Sequence, residues 1–236
     1  MVRHGSPWRT IFQEKHVIRK QENLTLSHFP NAPLKAQTSQ YDMVALAASL
    51  GGLKALTQIL SALPPDFPTA ITVVQHLHPR YPSLMPEIMK SRTALTVKHA
   101  KQGDKIRPGT VYIAPPNKHL LVNQDSTLSL SDSEEVNFVR PSADPLFKSV
   151  ATIFKERSIA VILTGRGVDG AEGAREIRKM GGVVITQDEA TCESFSMPSF
   201  AIDTGSVDLI LPLNKIAFAL MTLVEDPNSS DRILVR

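Results

Sequence analysis

The sequence predicts an α/β fold: a doubly wound, Rossmann-like, mostly parallel sheet with helices on both faces and an antiparallel hairpin excursion. Three observations predict it. Short apolar runs alternate with segments of helical period, the pattern of buried parallel strands joined by crossover helices. Two of the runs feed glycine turns, Ser49-Leu50-Gly51-Gly52 and Gly165-Arg166-Gly167-Val168-Asp169-Gly170. In the middle of the chain, turn residues at Gly103 to Gly109 and Pro115 to Lys118 break the alternation and set the hairpin region apart.

Taken in order, residues 1–40 mix charges with Pro30 and Pro33 and keep no period, which predicts an irregular basic extension with a short helix near residues 11–23. The domain starts near Tyr41. Residues 43–48 form a first strand. Leu53, Leu56, Leu60 and Leu63 then recur on one helical face until Pro64-Pro65 stops the helix. Residues 70–74 are a second, β-branched strand, and Pro79, Pro82 and Pro86 lead into a helix at residues 84–91.

Residues 94–99, 110–114, 119–122 and 127–131 read as strands. Pro115-Pro116-Asn117-Lys118 sits between the second and third of them as a hairpin turn would, so this middle region is expected to be antiparallel. Alternation then resumes with a helix at 144–156, a strand at 159–163, the glycine loop, a helix at 171–180 and a strand at 183–186. A strand at 207–211 and a helix at 213–224 close the domain. The expected organisation is therefore an extension over 1–40, a globular α/β domain over 41–224 and a polar C-terminal tail over 225–236.

Composition narrows the function. The 236 residues are 42% hydrophobic, enough for a substantial core. One cysteine, Cys192, leaves no disulfide framework and no cysteine cluster for zinc, and favours a reducing cytoplasm. No apolar run reaches the roughly 20 residues of a membrane helix, and the first residues lack the apolar stretch of a signal peptide, so membrane insertion is not expected. The formal charge of +3 is carried by the extension, where six Lys and Arg face only Glu14 and Glu22. A near-neutral body with few aromatics lacks the basic face that nucleic acid requires.

Ser49, His76 and Asp169 each follow an apolar strand, so each is delivered to the carboxyl edge of the sheet, where α/β folds place their chemistry. A serine hydroxyl becomes a nucleophile when an imidazole takes its proton and a carboxylate holds that imidazole. For Ser49 the competing role is an ordinary small residue in a dinucleotide-type turn, but the Gly-x-Gly-x-x-Gly pattern fails at Ala47 and Ser49. For His76 the competitor is His78. For Asp169 the competing role is a cap on the helix at 171–180. The glycine loop lacks the lysine of a phosphate-binding loop, and no Gly-x-Ser-x-Gly elbow is present.

Five ordered motifs carry a resemblance: residues 44–52 (VALAASLGG), 73–76 (VVQH), 108–119 (PGTVYIAPPNKH), 140–144 (RPSAD) and 162–170 (ILTGRGVDG), extended by 187–192 (QDEATC) and Met197-Pro198. Together they resemble the catalytic domain of the CheB protein-glutamate methylesterases of bacterial chemotaxis, over roughly residues 41–224. The resemblance implies a serine hydrolase that demethylates glutamate γ-methyl esters on the cytoplasmic helices of chemoreceptors, with deamidation of receptor glutamines as a further activity and no cofactor or metal. Position by position, it implies Ser49 as nucleophile, His76 as general base and Asp169 as the orienting carboxylate. Leu50, Gly51, Arg166, Gly167 and Met197 fall in the oxyanion and substrate-binding region.

The chain departs from the family pattern at three places. Leu50 stands where Thr is usual, Arg166 where Met is usual, and Ser196-Met197-Pro198 where Gly-Met-Pro is usual. A backbone oxyanion donor survives a side-chain change, whereas a cation at position 166 alters the charge beside the site. These departures leave a second reading, a catalytically weak esterase-like binding module in signal transduction. Family members commonly carry an N-terminal phospho-receiver domain, and forty residues are too few to hold one. Any regulation is thus expected from a protein in trans or from expression, with the basic extension as the surface offered to such a protein.

Overall fold

The structure, a computed structural model, describes residues 41–225. The expected extension over 1–40, its short helix and the tail from Asp226 lie outside the described residues. Seven strands form one parallel sheet: β1 (Met43–Ala48), β2 (Ala70–Gln75), β3 (Thr96–His99), β4 (Thr110–Ile113), β7 (Ser158–Ile162), β8 (Val183–Gln187) and β9 (Leu209–Leu211). Their spatial order is β3-β4-β2-β1-β7-β8-β9. The remaining two strands, β5 (His119–Val122) and β6 (Leu128–Ser131), pair antiparallel as a separate hairpin.

Six helices cover the sheet: α1 (Gly52–Ser61), α2 (Met85–Lys90), α3 (Ala143–Phe154), α4 (Ala171–Lys179), α5 (Ser196–Asp203) and α6 (Leu213–Glu225). β1 shows why both faces need cover. Its even-numbered residues Val44, Leu46 and Ala48 pack with α1, α2 and α6, while Met43, Ala45 and Ala47 pack with α3, α4, α5 and the hairpin. A strand buried on both sides reads as an unbroken apolar run, and all six residues are buried.

The doubly wound parallel sheet is as expected; the antiparallel region is smaller than expected. β3 and β4 pair parallel, and β4 joins β2 in the main sheet, so the excursion is confined to β5 and β6. Residues 115–118 therefore do not turn one strand back on its partner. The connection from β3 to β4 lies against the hairpin instead, through Gly103 N–H to the Leu128 carbonyl, Leu128 N–H to the Asp104 carbonyl and Ile106 N–H to the Ser126 carbonyl. That lateral pairing holds a helix-free crossover in place. Helix α5 was not anticipated, because Ser196 to Asp203 carry little helical periodicity.

The order reverses at β1, whose neighbours are β2 on one side and β7 on the other. In open α/β sheets the crevice at such a reversal, outside the strand carboxyl ends, is where ligands bind.

Candidate active site

Register brings the first two expected residues together. Ala48 on β1 pairs with Gln75 on β2, so Ser49 and His76 are the next residues along neighbouring parallel strands. His76 N–H donates to the Ala48 carbonyl (3.1 Å). Gln75 clamps the pair: its Nε2 donates to the carbonyls of Ser49 (2.8 Å) and His76 (3.2 Å). Gly52 leaves the space for that carboxamide, since a Cβ there would overlap Gln75 Oε1.

On the other side of β1, the loop after β7 carries Asp169, and His76 Nε2 lies 2.7 Å from Asp169 Oδ2. Asp169 is only 1% exposed, and it is heavily bonded. Besides His76 it accepts from Ala143 N–H (2.7 Å) on Oδ2, and from Ser142 Oγ (2.5 Å), Asp144 N–H (3.3 Å) and Asn137 Nδ2 (3.3 Å) on Oδ1. Burial alone would raise its pKa. The hydrogen bonds from His76, Ala143 and Ser142 outweigh burial and hold the carboxyl below its ordinary value. An ionised carboxylate only accepts, so Nε2 is the donor, and Nδ1 is the nitrogen left for proton transfer.

The capping role considered for Asp169 also changes. The foot of α4 is Gly170, in left-handed conformation and without a side-chain cap, and Asp169 instead receives the first N–H groups of α3. Its neighbour Asp144, on α3, accepts from Gly173 N–H of α4 (2.7 Å) and from Asn137 Nδ2 (2.7 Å). Burial, with the charge of Asp169 adding to it, raises the pKa of Asp144 despite the Gly173 bond.

Ser49 is held by its main chain. Its N–H donates to the Thr164 carbonyl (3.0 Å), and Thr164 Oγ1 donates to the Leu50 carbonyl (3.0 Å). Ser49 Oγ makes no hydrogen bond among the described residues. The N–H groups of Leu50, Gly51, Arg166 and Gly167 likewise have no acceptor among them; Leu50 and Gly51 follow Ser49 directly, and Arg166 and Gly167 follow Gly165, which packs against Ser49. Gly51 lies at φ 79° and Gly167 at φ 96°, conformations that glycine adopts without strain. Arg166 is exposed on the loop. Met197 is fully buried behind it: its N–H is bonded to the Gly165 carbonyl, and its sulfur fills the space a Cβ on Gly165 would need.

Ser49, Leu50, Gly51 and His76 open into a cleft of about 1020 Å³ between α1 and α2. Leu53, Leu84, Met85 and Ile88 line it, and its charged lining residues are Lys54 and Arg92. His78 lies outside, exposed, its ring tilted against that of Tyr81 with centroids 4.6 Å apart. Cys192 is no competing nucleophile, because burial pushes its thiol up to about 11. Among the described residues no group of three His, Cys, Asp or Glu gathers as a metal site, and no helix is long and apolar enough to cross a membrane.

Gln75, Asn137, Ser142 and Thr164 escaped the sequence reading. Ser142 sat inside the Arg-Pro-Ser-Ala-Asp motif, and Asn137 between Val136 and Phe138, but nothing local tied either to a carboxylate in the loop after β7.

Comparison with known proteins identifies the family of the fold that carries these residues. The CheB methylesterase family matches residues 44–220. A putative protein-glutamate methylesterase/protein-glutamine glutaminase of Leptospira interrogans is 41% identical over 177 residues, 75% of this chain and 92% of the relative. The protein-glutamate methylesterase/protein-glutamine glutaminase of the group 3 operon of Rhizobium meliloti is 45% identical over 175 residues, 74% of this chain but 49% of the relative. The crystal structure of the Thermotoga maritima CheB methylesterase catalytic domain superposes with a TM-score of 0.75 at 40% identity, covering 78% of this chain and 99% of that one.

Proposed function

The chain belongs to the CheB methylesterase family, and on that premise we propose that it hydrolyses glutamate γ-methyl esters on the cytoplasmic helices of chemoreceptors through Ser49, His76 and Asp169. The observation that carries this reading is the 2.7 Å bond from His76 Nε2 to a buried, ionised Asp169, with Ser49 beside His76 on the next strand. That bond orients the imidazole and stabilises its positive charge once it accepts a proton.

Ser49 Oγ attacks the ester carbonyl carbon as His76 Nδ1 takes its proton. The oxyanion of the tetrahedral intermediate is held by the free N–H groups of the Leu50-Gly51 turn and of Arg166 and Gly167, with the N-terminus of α1 adding positive potential. Collapse breaks the bond to the methoxy group, which leaves as methanol with the proton from His76. Water then attacks the acyl-enzyme, giving its proton to His76, and Ser49 departs with that proton to leave a glutamate carboxylate. The same steps release ammonia from glutamine, the second activity in the relatives' names. Met197 supports the site from behind Gly165.

Residues 41–224 form the catalytic domain in this reading, the protein works in the cytoplasm, and the basic extension is the surface offered to a regulatory protein in trans. The test is methanol release from methylated chemoreceptor membranes, with ammonia measured in parallel on receptors carrying glutamine. Methanol release by the chain supports the reading. Its absence, with receptors that another esterase demethylates, overturns it.

A further inference from the structure

Phe138 is the most exposed large apolar residue described, at 96%, and it stands in a costly conformation. Val136 and Val139 exchange backbone hydrogen bonds (3.2 and 3.1 Å) around Asn137 and Phe138, which both lie in the left-handed region at φ 57° and 64°. This is a two-residue hairpin turn whose second position favours glycine. A bulky residue there is disfavoured, and Phe138 recovers nothing by packing. An isolated exposed apolar side chain is ordinary, but one that opposes the local backbone preference points to a use outside the fold.

The turn is also firmly held, and held to the site. Asn137 Nδ2 bridges Asp144 Oδ2 (2.7 Å) and Asp169 Oδ1 (3.3 Å), so Phe138 is one residue from a side chain that touches the carboxylate orienting His76. On its other flank, Arg140 anchors to Asn117 Oδ1 (3.0 and 2.8 Å) and to the carbonyls of Asp132 (3.2 Å) and Ser133 (2.7 Å). The turn hangs from the α3 side of the sheet, whereas the apolar cleft opens between α1 and α2 on the opposite side. The proposed triad lies between them.

We infer that Phe138 is a substrate-docking residue: an aromatic anchor carried on a firmly held turn, which seats against an apolar side chain of the protein segment bearing the esterified glutamate. The inference rests on the methylesterase reading above. Aromatic side chains bury a large area for few rotatable bonds, and a backbone already ordered reduces the cost of binding through them. Phe138 adjoins Asn137, whose side chain reaches the carboxylate that holds His76, so what it would seat is the flanking residues of a protein substrate, which a small ester lacks. Phe138 thus favours protein substrates through KM and takes no part in bond breaking.

The test compares wild type with Phe138→Gly and Phe138→Trp on methylated receptor membranes, and scores Ser49 separately by its labelling rate with a small fluorophosphonate. Glycine suits the turn, so Phe138→Gly keeps the fold. The expected result is a KM raised about tenfold or more in Phe138→Gly with little change in kcat, restored towards wild type by tryptophan, and equal labelling rates throughout. Unchanged KM in Phe138→Gly overturns the docking role, as does a matching fall in kcat and labelling, which marks a structural role. Absence of methanol release by wild type overturns the methylesterase reading and this inference together.

Discussion

Asp144 and Asp169 cap each other's helices. Asp169, at the foot of α4, accepts the N–H groups of Ala143 and Asp144 that open α3, while Asp144 on α3 accepts Gly173 N–H in the first turn of α4. Each carboxylate satisfies donors its own helix leaves to the other, and Asn137 Nδ2 binds both. Asp169 thereby joins two tasks: orienting His76 and holding α3 against α4.

Asp169→Asn therefore lowers both activity and stability. An amide cannot accept on both sides, so the bonds from Ala143, Ser142 and His76 are not all retained, and His76 loses its fixed tautomer. The expected fall in kcat is on the order of 10⁴-fold, and the stability loss about 1–3 kcal/mol. Ester turnover and urea unfolding of the same preparation check the two effects together.

Acid separates the two carboxylates by sign. The folded pKa of Asp169 lies below its unfolded value, so the stability it contributes is present above the ordinary carboxylate range and is lost as pH falls through the folded pKa. Asp144 is shifted upward, so its ionised form costs stability, and that cost is relieved as pH falls through its raised pKa, before Asp169 protonates. Thermal unfolding from pH 7 downward is expected to show a small rise or plateau, then a steep loss below about pH 4. In Asp169→Asn that loss is shallower.

Gly165→Ala is expected to displace Ser49, the proposed nucleophile. A Cβ at position 165 would lie 2.8 Å from Ser49 Cβ and overlap Met197 Sδ, so either the serine or the buried methionine moves. A displacement near 1 Å costs about 10²-fold in rate. The expected outcome is a slowed enzyme whose labelling by a fluorophosphonate slows in proportion. An unchanged rate shows that Met197 absorbs the methyl group alone.

Much of this arrangement was legible in the sequence, because the strands that carry it are short apolar runs ending in a Ser-Leu-Gly-Gly turn, a histidine or a glycine loop. Neighbouring strands in sequence were expected to be neighbours in space, and β1 and β2 are. Pairing direction in the middle of the chain was not legible. A connection of ten residues between β3 and β4, without a helix, looks too short for a parallel crossover, and the contacts of Gly103, Asp104 and Ile106 with the distant hairpin are what make it work. The surroundings of Asp169 were illegible for a similar reason. Asn137, Ser142 and Ala143 come to it from the turn before α3 and from the start of α3, 26 to 32 residues away in the chain, and side-chain type reveals nothing of that meeting.

The most direct test of the account is the position and rate of modification by a fluorophosphonate, read by peptide mass in the wild-type chain, Ser49→Ala and His76→Ala, beside methanol release by each. The account predicts a single adduct on Ser49 in wild type, none in Ser49→Ala, and labelling slowed at least a thousandfold in His76→Ala. Methanol release should fall in the same order. Turnover by folded Ser49→Ala at the wild-type rate, or an adduct on another residue that accounts for the lost activity, contradicts it.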